Sequence, residues 1–171
     1  GHLRRLIPHL TYSIRKAPLD IYFRQCAYRL HFNRRNHIQF GLLANPKYNF
    51  KDIEFLLKGS NSTSNFVDIG ANIGLYCQPL ARNSPKGQVI AIDANPLMIE
   101  QLNFNVKASN LKNVTIIFSA VSNKSGYGSL IINNDDDAIV ALNEENNDGI
   151  PIRTLKDILN EQKIRKIYGL K

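Results

Sequence analysis

The sequence predicts an α/β fold built around a parallel sheet, and two observations lead to that prediction. From Phe66 onward, short runs rich in β-branched residues alternate with segments of helical spacing, in the order strand, helix, strand, helix, strand. That alternation indicates βαβ units with right-handed crossovers. In addition, 43% of the 171 residues are hydrophobic, which is enough for a core. A chain of this length favours a single domain.

The first 60 residues are predicted to form a basic helical segment. Residues 19–32 are predicted to form an amphipathic helix, because apolar residues recur there at three- and four-residue steps, namely Ile21, Phe23, Cys26, Ala27 and Leu30. Residues 51–60 are predicted to form a second helix, which Gly59 ends. Residues 1–60 hold 11 Lys and Arg against 3 acidic residues, whereas residues 61–171 hold 11 of each, so the net charge of +8 belongs to this segment.

Residues 61–171 are predicted to form the sheet domain, which begins after the polar connector "NSTSN". Its first strand is "FVDI", followed by a helix over "GLYCQPLAR" that Pro79 is expected to kink or restart. The second strand is "QVIAID", and Asn95-Pro96 is typical of an N-cap followed by proline at the first helical position. The third strand is "NVTIIFSAV".

The C-terminal third is predicted to depart from this alternation. "GSLIIN" and "AIVAL" indicate an antiparallel pair of strands, and the aspartates between them, Asp135, Asp136 and Asp137, indicate a solvated turn. Thr154 and Asp157 have the spacing of a capping box that opens the helix "LKDILNEQ". "KIYGLK" begins a further strand, the fourth of the parallel sheet.

The stretch "FVDIGANIGLY" is the strongest functional signal. Gly70, Asn72 and Gly74 follow a strand, so they form a turn at the carboxyl edge of the sheet, where ligands of open α/β sheets bind. Glycine lets the backbone turn tightly and approach a ligand, and asparagine tolerates left-handed dihedrals. The helix that starts near Gly74 is expected to point its free N–H groups at the ligand. Asp93, at the end of the second strand, is placed to accept hydrogen bonds from a ribose diol.

The arrangement of acid and glycines distinguishes between nucleoside ligands. The dinucleotide fingerprint G-x-G-x-x-G, which packs a pyrophosphate on a helix terminus, is absent. Instead Asp68 precedes the loop, and a carboxylate suits a ligand with a positive end. The amino group and sulfonium of S-adenosylmethionine (SAM) provide such an end.

Four segments, "FVDIGANIGLY", "VIAIDANP", "NVTIIFSAVSNKSG" and "IPIRTLKDIL", in this order and spacing, resemble the FkbM-type methyltransferases. The resemblance covers about residues 64–171 and implies a SAM-dependent O-methyltransferase on a Rossmann-like, class I methyltransferase sheet. It implies that the methionine part of SAM is wrapped by Asp68, Gly70, Asn72 and Gly74. It also implies that Asp93 binds the ribose hydroxyls with Ala94 beside them, and that Ser119 and Ala120 border the adenine.

The resemblance also sets an expectation about the C-terminus. In the family, the strand begun by "KIYGLK" continues into an acidic motif and further strands that carry substrate contacts. We therefore expect that this chain is part of a longer sheet, that it binds cofactor without transferring a methyl group, and that the catalytic residues, which are not assigned, lie beyond Lys171. A homodimer that covers the open edge is a further expectation.

The leading functional hypothesis is methyl transfer from SAM to a hydroxyl of a sugar, glycan or secondary metabolite. The alternatives are a non-catalytic module that binds SAM or a nucleotide, and an NAD(P)-linked oxidoreductase. The acceptor is expected to be a small molecule or glycan, an anionic surface is a candidate partner of the basic segment, and nucleic acid is not expected. No metal site is predicted, since none of the 4 histidines has a zinc-like spacing. The two distant cysteines indicate a reducing compartment, hence the cytoplasm.

Overall fold

The computed structural model of the protein describes residues 10, 11, 13, 14, 16–32, 36–45, 47–133, 136–143 and 149–171. Within these residues, no helix combines the length and hydropathy needed to cross a bilayer. Nor do any three His, Cys, Asp or Glu side chains in this part of the chain cluster as metal ligands would.

The N-terminal segment begins with a β-hairpin, so the prediction of a helix over residues 19–32 is wrong. Strand β1 (Leu19–Phe23) pairs antiparallel with β2 (Cys26–Leu30). Arg24 and Gln25, between the strands, both have left-handed φ angles, 49° and 60°. Two consecutive left-handed residues match the twist of a two-residue hairpin turn.

The side-chain pattern of β2 explains the error. Cys26, Tyr28 and Leu30 alternate along the strand and are all fully buried. Their two-residue period is the signal of a half-buried strand. The same segment also contains apolar residues three and four apart, and such a short run fits both periods. Packing of β2 against the rest of the chain decides in favour of the strand.

Two helices complete the N-terminal segment. Helix α1 (His37–Ala44) is capped by Asn36, whose side chain accepts hydrogen bonds from the backbone N–H groups of Ile38 and Gln39. Helix α2 (Phe50–Leu57) confirms the predicted second helix. Gly59 follows it with a φ of 79°, which is the usual conformation of a residue that ends a helix.

The central sheet confirms the predicted α/β fold. It contains β3 (Phe66–Ile69), β4 (Val89–Asp93), β5 (Val114–Phe118) and a short β10 (Gly169–Leu170). The strand order is β10-β3-β4-β5, and each neighbouring pair is parallel. All five residues of β4 are buried, as expected for a central parallel strand covered on both faces.

Two helices connect these strands. Helix α3 (Cys77–Asn83) follows β3, and it begins three residues later than the predicted start near Gly74. Pro79 is its third residue, where the missing N–H would have no helical partner anyway, so the proline is accommodated. Helix α4 (Pro96–Ala108) follows β4, and the Asn95 side chain caps it as predicted.

A second sheet follows β5. It has the order β6-β9-β7-β8, formed by β6 (Ala120–Val121), β9 (Ile150–Arg153), β7 (Gly126–Asn133) and β8 (Asp136–Asn143). The predicted antiparallel pair is therefore confirmed as β7 and β8, whereas β9 was not predicted. The turn predicted around Asp135 lies partly outside the described residues. Helix α5 (Leu155–Glu161) starts at the predicted cap, Thr154.

The hairpin shares a hydrophobic core with the sheet domain. Tyr28 and Leu30 of β2 lie in one buried cluster with Ile73, Leu75 and Met98. The first two of these partners belong to the loop after β3, and the third to helix α4. The N-terminal segment is therefore packed directly behind the loop in which the functional signal was found. The boundary predicted at residues 60 and 61 stays a prediction.

Candidate functional site

The loop between β3 and α3 has an alternating left-handed backbone. Gly70, Asn72 and Gly74 have φ angles of 72°, 50° and 92°. A Cβ atom added to Gly70 would meet nothing within 4 Å, whereas one added to Gly74 would lie 2.9 Å from Cδ1 of Leu102 on α4. Gly70 therefore leaves open space above the loop, and Gly74 lets the loop pack closely on α4.

Asp93 connects the end of β4 to this loop. Its Oδ2 accepts a hydrogen bond from the Asn72 N–H (2.7 Å), and its Oδ1 accepts one from the Asn95 N–H (2.8 Å). The carboxyl is largely buried, and that burial raises the pKa of Asp93 above its usual value. A carboxylate offers about four lone-pair positions, so each oxygen retains capacity for a ligand hydroxyl.

Asp68 lies below the loop and is fully buried. Its Oδ2 accepts a hydrogen bond from the Cys77 N–H at the start of α3 (2.9 Å). Its Oδ1 has no hydrogen-bond donor among the residues described, and the Lys171 Nζ is 3.6 Å away. Burial raises the pKa of Asp68 to about 6, although the Lys171 ammonium acts in the opposite direction.

A cavity of about 360 Å³ opens at the carboxyl ends of the parallel strands, beside this loop. Its volume lies within the range of roughly 300–1,000 Å³ found for small-molecule sites. Six of the eight predicted cofactor residues line it, namely Gly70, Asn72, Asp93, Ala94, Ser119 and Ala120. The other two do not line it: Asp68 is beneath the loop, and Gly74 faces α4.

The structure adds wall residues that the sequence did not indicate. They include His37 and Ile38 from α1, Met98 from α4, Leu130 from β7 and Lys171 after β10. Nothing in the sequence places α1 beside the loop, because that contact depends on how the hairpin packs. Lys171 could have been found, since a fourth parallel strand beside β3 brings its end to the same edge of the sheet.

The sequence model of one protein family, described as the Vibrio cholerae RfbT protein, matches residues 20–167. This chain belongs to the RfbT family. The RfbT match begins in β1, so the hairpin and both N-terminal helices are part of the family's sequence pattern along with the sheet. Membership of the FkbM-type methyltransferases, by contrast, rests on the resemblance of residues 64–171 alone. A search of curated proteins found no match for this RfbT-family chain.

Solved structures similar to the RfbT-family chain include two from M. jannaschii and one from P. horikoshii. M. jannaschii TYW2 in complex with AdoMet is 21% identical with a TM-score of 0.49, and the match covers 64% of this chain and 52% of that one. P. horikoshii TYW2 in complex with MeSAdo is 20% identical with a TM-score of 0.49, and the match covers 61% of this chain and 36% of that one. The M. jannaschii tRNA m1G37 methyltransferase is 15% identical with a TM-score of 0.48, and the match covers 72% of this chain and 47% of that one.

AdoMet, the ligand in the structure of M. jannaschii TYW2, is SAM, the cofactor predicted from the sequence of the RfbT-family chain. The prediction of a small-molecule or glycan acceptor, with nucleic acid not expected, is contradicted by the tRNA methyltransferase and is not retained. The chain spans between about a third and a half of the length of these proteins.

Proposed function

We propose that this RfbT-family chain binds SAM in the cavity beside residues 70–74 and forms the cofactor-binding part of a SAM-dependent methyltransferase. The observation that carries the proposal is the hydrogen bond from the Asn72 N–H to the Asp93 carboxylate. It joins the glycine loop and the acidic end of the neighbouring strand into one wall of a cavity. The resemblance to FkbM-type methyltransferases supports the same function.

The residues present fit the parts of SAM. Asp93 would accept hydrogen bonds from the ribose diol, and Ala94 would lie beside it. Ser119 and Ala120 would border the adenine, with the apolar side chain of Met98 in the same wall. Gly70 would leave space for the methionine part, because no atom occupies the position of its missing Cβ.

Asp68 is proposed to favour cofactor binding without touching the cofactor, by holding the end of the loop and by its negative charge. It does not line the cavity, and its Oδ2 holds the first N–H of α3. Its Oδ1, which no described donor satisfies, keeps negative charge under the loop. That charge favours a ligand with a positive end over a pyrophosphate.

Bound SAM would supply an electrophilic methyl group to an acceptor hydroxyl held in line with the sulfonium. The acceptor hydroxyl must lose its proton as the new O–C bond forms. Among the described residues, three titratable side chains line the cavity: His37, Asp93 and Lys171. Asp93 is bound to loop amides and Lys171 faces Asp68, so we propose that the His37 imidazole takes the proton.

A module that binds SAM without chemistry is the second candidate function. Its supporting observation is that six of the predicted cofactor residues line the cavity, whereas a single side chain, His37, is proposed for proton transfer. The oxidoreductase alternative receives no support from the loop, which lacks the dinucleotide glycine pattern.

Calorimetric titration with SAM, its product S-adenosylhomocysteine (SAH), and NAD⁺ tests the proposed function. We expect SAM and SAH to bind and NAD⁺ not to bind. Asp93→Ala should weaken SAH binding about 10- to 100-fold, the value of one or two charge-assisted hydrogen bonds. Glu100→Ala, on the exposed face of α4, is the matched control and should bind SAH as the wild type does. No SAM or SAH binding by the folded wild type would refute the proposal.

A further inference from the structure

Side chains of helix α4 and its C-cap residue form hydrogen bonds with the backbone edge of strand β2, where a neighbouring strand would otherwise pair. The Asn105 Oδ1 accepts a hydrogen bond from the Arg29 N–H (2.8 Å), and the Ser109 Oγ accepts one from the Ala27 N–H (2.8 Å). The Gln101 side chain donates to the Arg29 carbonyl. Residues four apart on a helix share one face, and residues two apart on a strand share one edge, so the two spacings match. This match fixes the hairpin on α4.

The segment fixed in this way contacts the loop directly. The Tyr28 hydroxyl, on β2, lies 3.3 Å from the Gly74 carbonyl and donates to it. The Asn36 Nδ2, before α1, donates to the Asn72 Oδ1 at 3.3 Å. Between these two contacts, the Asn105 Nδ2 donates to the Ile73 carbonyl at 2.9 Å. Three consecutive loop residues therefore receive hydrogen bonds from outside the loop.

Asn36 connects the helix cap to the loop. Its Oδ1 accepts from the two N–H groups at the start of α1, and its Nδ2 remains for Asn72. The Asn72 Oδ1 in turn accepts from the Ile73 N–H (2.9 Å). The Oδ1 of Asn72 thus accepts two hydrogen bonds while its backbone has a left-handed φ, a conformation that costs energy in a residue with a side chain.

We infer that Asn36 and Tyr28 are positioning residues for the cofactor loop, and that the N-terminal segment of residues 19–44 pre-organises this loop for binding. Asn36 holds Asn72 so that its N–H meets the Asp93 carboxylate. Tyr28 holds the far end of the loop at Gly74. Loops that are ordered before a ligand arrives bind it more tightly, because the ordering cost has already been met. The part of this inference that concerns ligand affinity rests on the proposed function.

Two substitutions test the contacts. Asn36→Ser keeps a side chain that caps α1 well but removes the Nδ2 donor, which reaches the Asn72 Oδ1 at 3.3 Å and the Met98 sulfur at 3.5 Å. Tyr28→Phe removes only the hydroxyl. Thr154→Ala is the matched control, since it removes the side chain that caps α5 and does not line the cavity. Each protein is examined by thermal unfolding, by calorimetry with SAH, and by amide hydrogen exchange of residues 70–76 without ligand.

We expect Asn36→Ser and Tyr28→Phe each to weaken SAH binding about three- to tenfold, as the loss of one hydrogen bond predicts. Both should also speed hydrogen exchange in residues 70–76. Thr154→Ala should lower the unfolding temperature but leave affinity and loop exchange unchanged. Unchanged loop exchange in Asn36→Ser and Tyr28→Phe would overturn the inference. If the wild type binds no SAH, the proposed function fails, and the exchange rates still decide whether these residues position the loop.

Discussion

The Nζ of Lys171 lies 3.6 Å from Oδ1 of Asp68, and the Asp68 side chain is fully buried while a third of the Lys171 side chain is exposed. This distance allows electrostatic attraction but is too long for a hydrogen bond. Lys171 also lies 3.3 Å from the Gly70 carbonyl and 4.9 Å from the centre of the Tyr76 ring. One ammonium therefore attracts the buried carboxylate and contacts the loop above it, but it does not fully offset the cost of burying Asp68.

The pKa of Asp68 gives the first prediction, which concerns stability against pH. Burial raises its pKa from 3.8 to about 6, so the folded protein binds this proton more tightly than the unfolded chain does. The contribution of Asp68 to stability is therefore greatest below about pH 4 and falls as pH rises towards about 6. A shift of about two units corresponds to about 3 kcal/mol. Asp68→Asn should remove this dependence.

Urea unfolding of the wild type and Asp68→Asn at several pH values between 4 and 7 measures this pH dependence of stability. The variant should gain stability relative to the wild type as pH rises through this range. Glu100→Gln, which changes an exposed carboxylate on α4, is the control and should follow the wild type. A constant difference between Asp68→Asn and the wild type across the range would show that Asp68 does not titrate there.

The two loop glycines give the second prediction, because they are constrained in different ways. Both have left-handed φ angles, so alanine costs roughly 1–2 kcal/mol of backbone strain at either position. Gly74→Ala should cost about 1–3 kcal/mol more, because its Cβ would lie 2.9 Å from Leu102 and 3.1 Å from Gln78. Gly70→Ala should lose only the unfolding free energy that corresponds to backbone strain, because its Cβ would meet no other atom within 4 Å.

Gly74→Ala should be the less stable variant, but Gly70→Ala should bind SAH more weakly when affinity is measured at a temperature where both are folded. Gly70→Ala places a methyl group into the open space beside the cavity, so it should weaken SAH binding at least tenfold. Denaturation curves and calorimetry on the same preparations test the pair. Wild-type affinity in Gly70→Ala would mean that no ligand approaches the loop at Gly70.

The sheet could be predicted from sequence because its signals are local. β3, β4 and β5 are short β-branched runs bounded by turn residues, and Asn95 and Thr154 are caps with side chains suited to that position. The hairpin could not be predicted in the same way. Its apolar residues fit a helical period as well as a strand period, and the choice depends on hydrogen bonds to α4 and its C-cap that join residues 76 and 82 apart in sequence.

The candidate site was predictable where it depends on one βα unit and its neighbour. Gly70, Asn72 and Asp93 line the cavity because parallel strands bring their carboxyl ends to one edge. The pattern could not separate the two glycines, whose roles depend on what lies opposite each of them. Nor could it reveal His37, which reaches the cavity through the packing of the N-terminal segment.

Asn105 gives the third prediction, which tests how the hairpin is attached to α4. It is fully buried, accepts from the Arg29 N–H and donates to the Ile73 carbonyl. Asn105→Ala would leave both backbone groups buried without these partners, so it should cost about 2–4 kcal/mol of unfolding free energy. Urea denaturation measures this loss.

Asn103→Ala is the control on the same helix. Its side chain is exposed and contacts only its own helix in the described structure, through the Ile99 carbonyl. Alanine has the higher helix propensity, so the stability of Asn103→Ala should stay within about 0.5 kcal/mol of the wild type. Equal effects of the two substitutions would contradict a specific attachment through Asn105.

The last prediction concerns His37 and uses the charge difference between SAM and SAH. SAM carries a positive sulfonium where SAH has a neutral thioether. His37→Lys places a positive charge in the cavity wall, so it should oppose SAM more than SAH. The ratio of SAM to SAH affinity should be about fivefold lower in His37→Lys than in the wild type, which corresponds to a charge repulsion of about 1 kcal/mol.

Other charged groups near the cavity require that the pH be held constant. Asp68 and Asp93 both have raised pKa values caused by burial, and protonation of either would also weaken SAM relative to SAH. All proteins are therefore compared by calorimetry at pH 8. His31→Lys, directly after β2 and outside the cavity wall, is the matched control and should keep the wild-type affinity ratio. An unchanged affinity ratio in His37→Lys would exclude the His37 side chain from the reacting end of the cofactor, and the proton acceptor would then have to come from another residue.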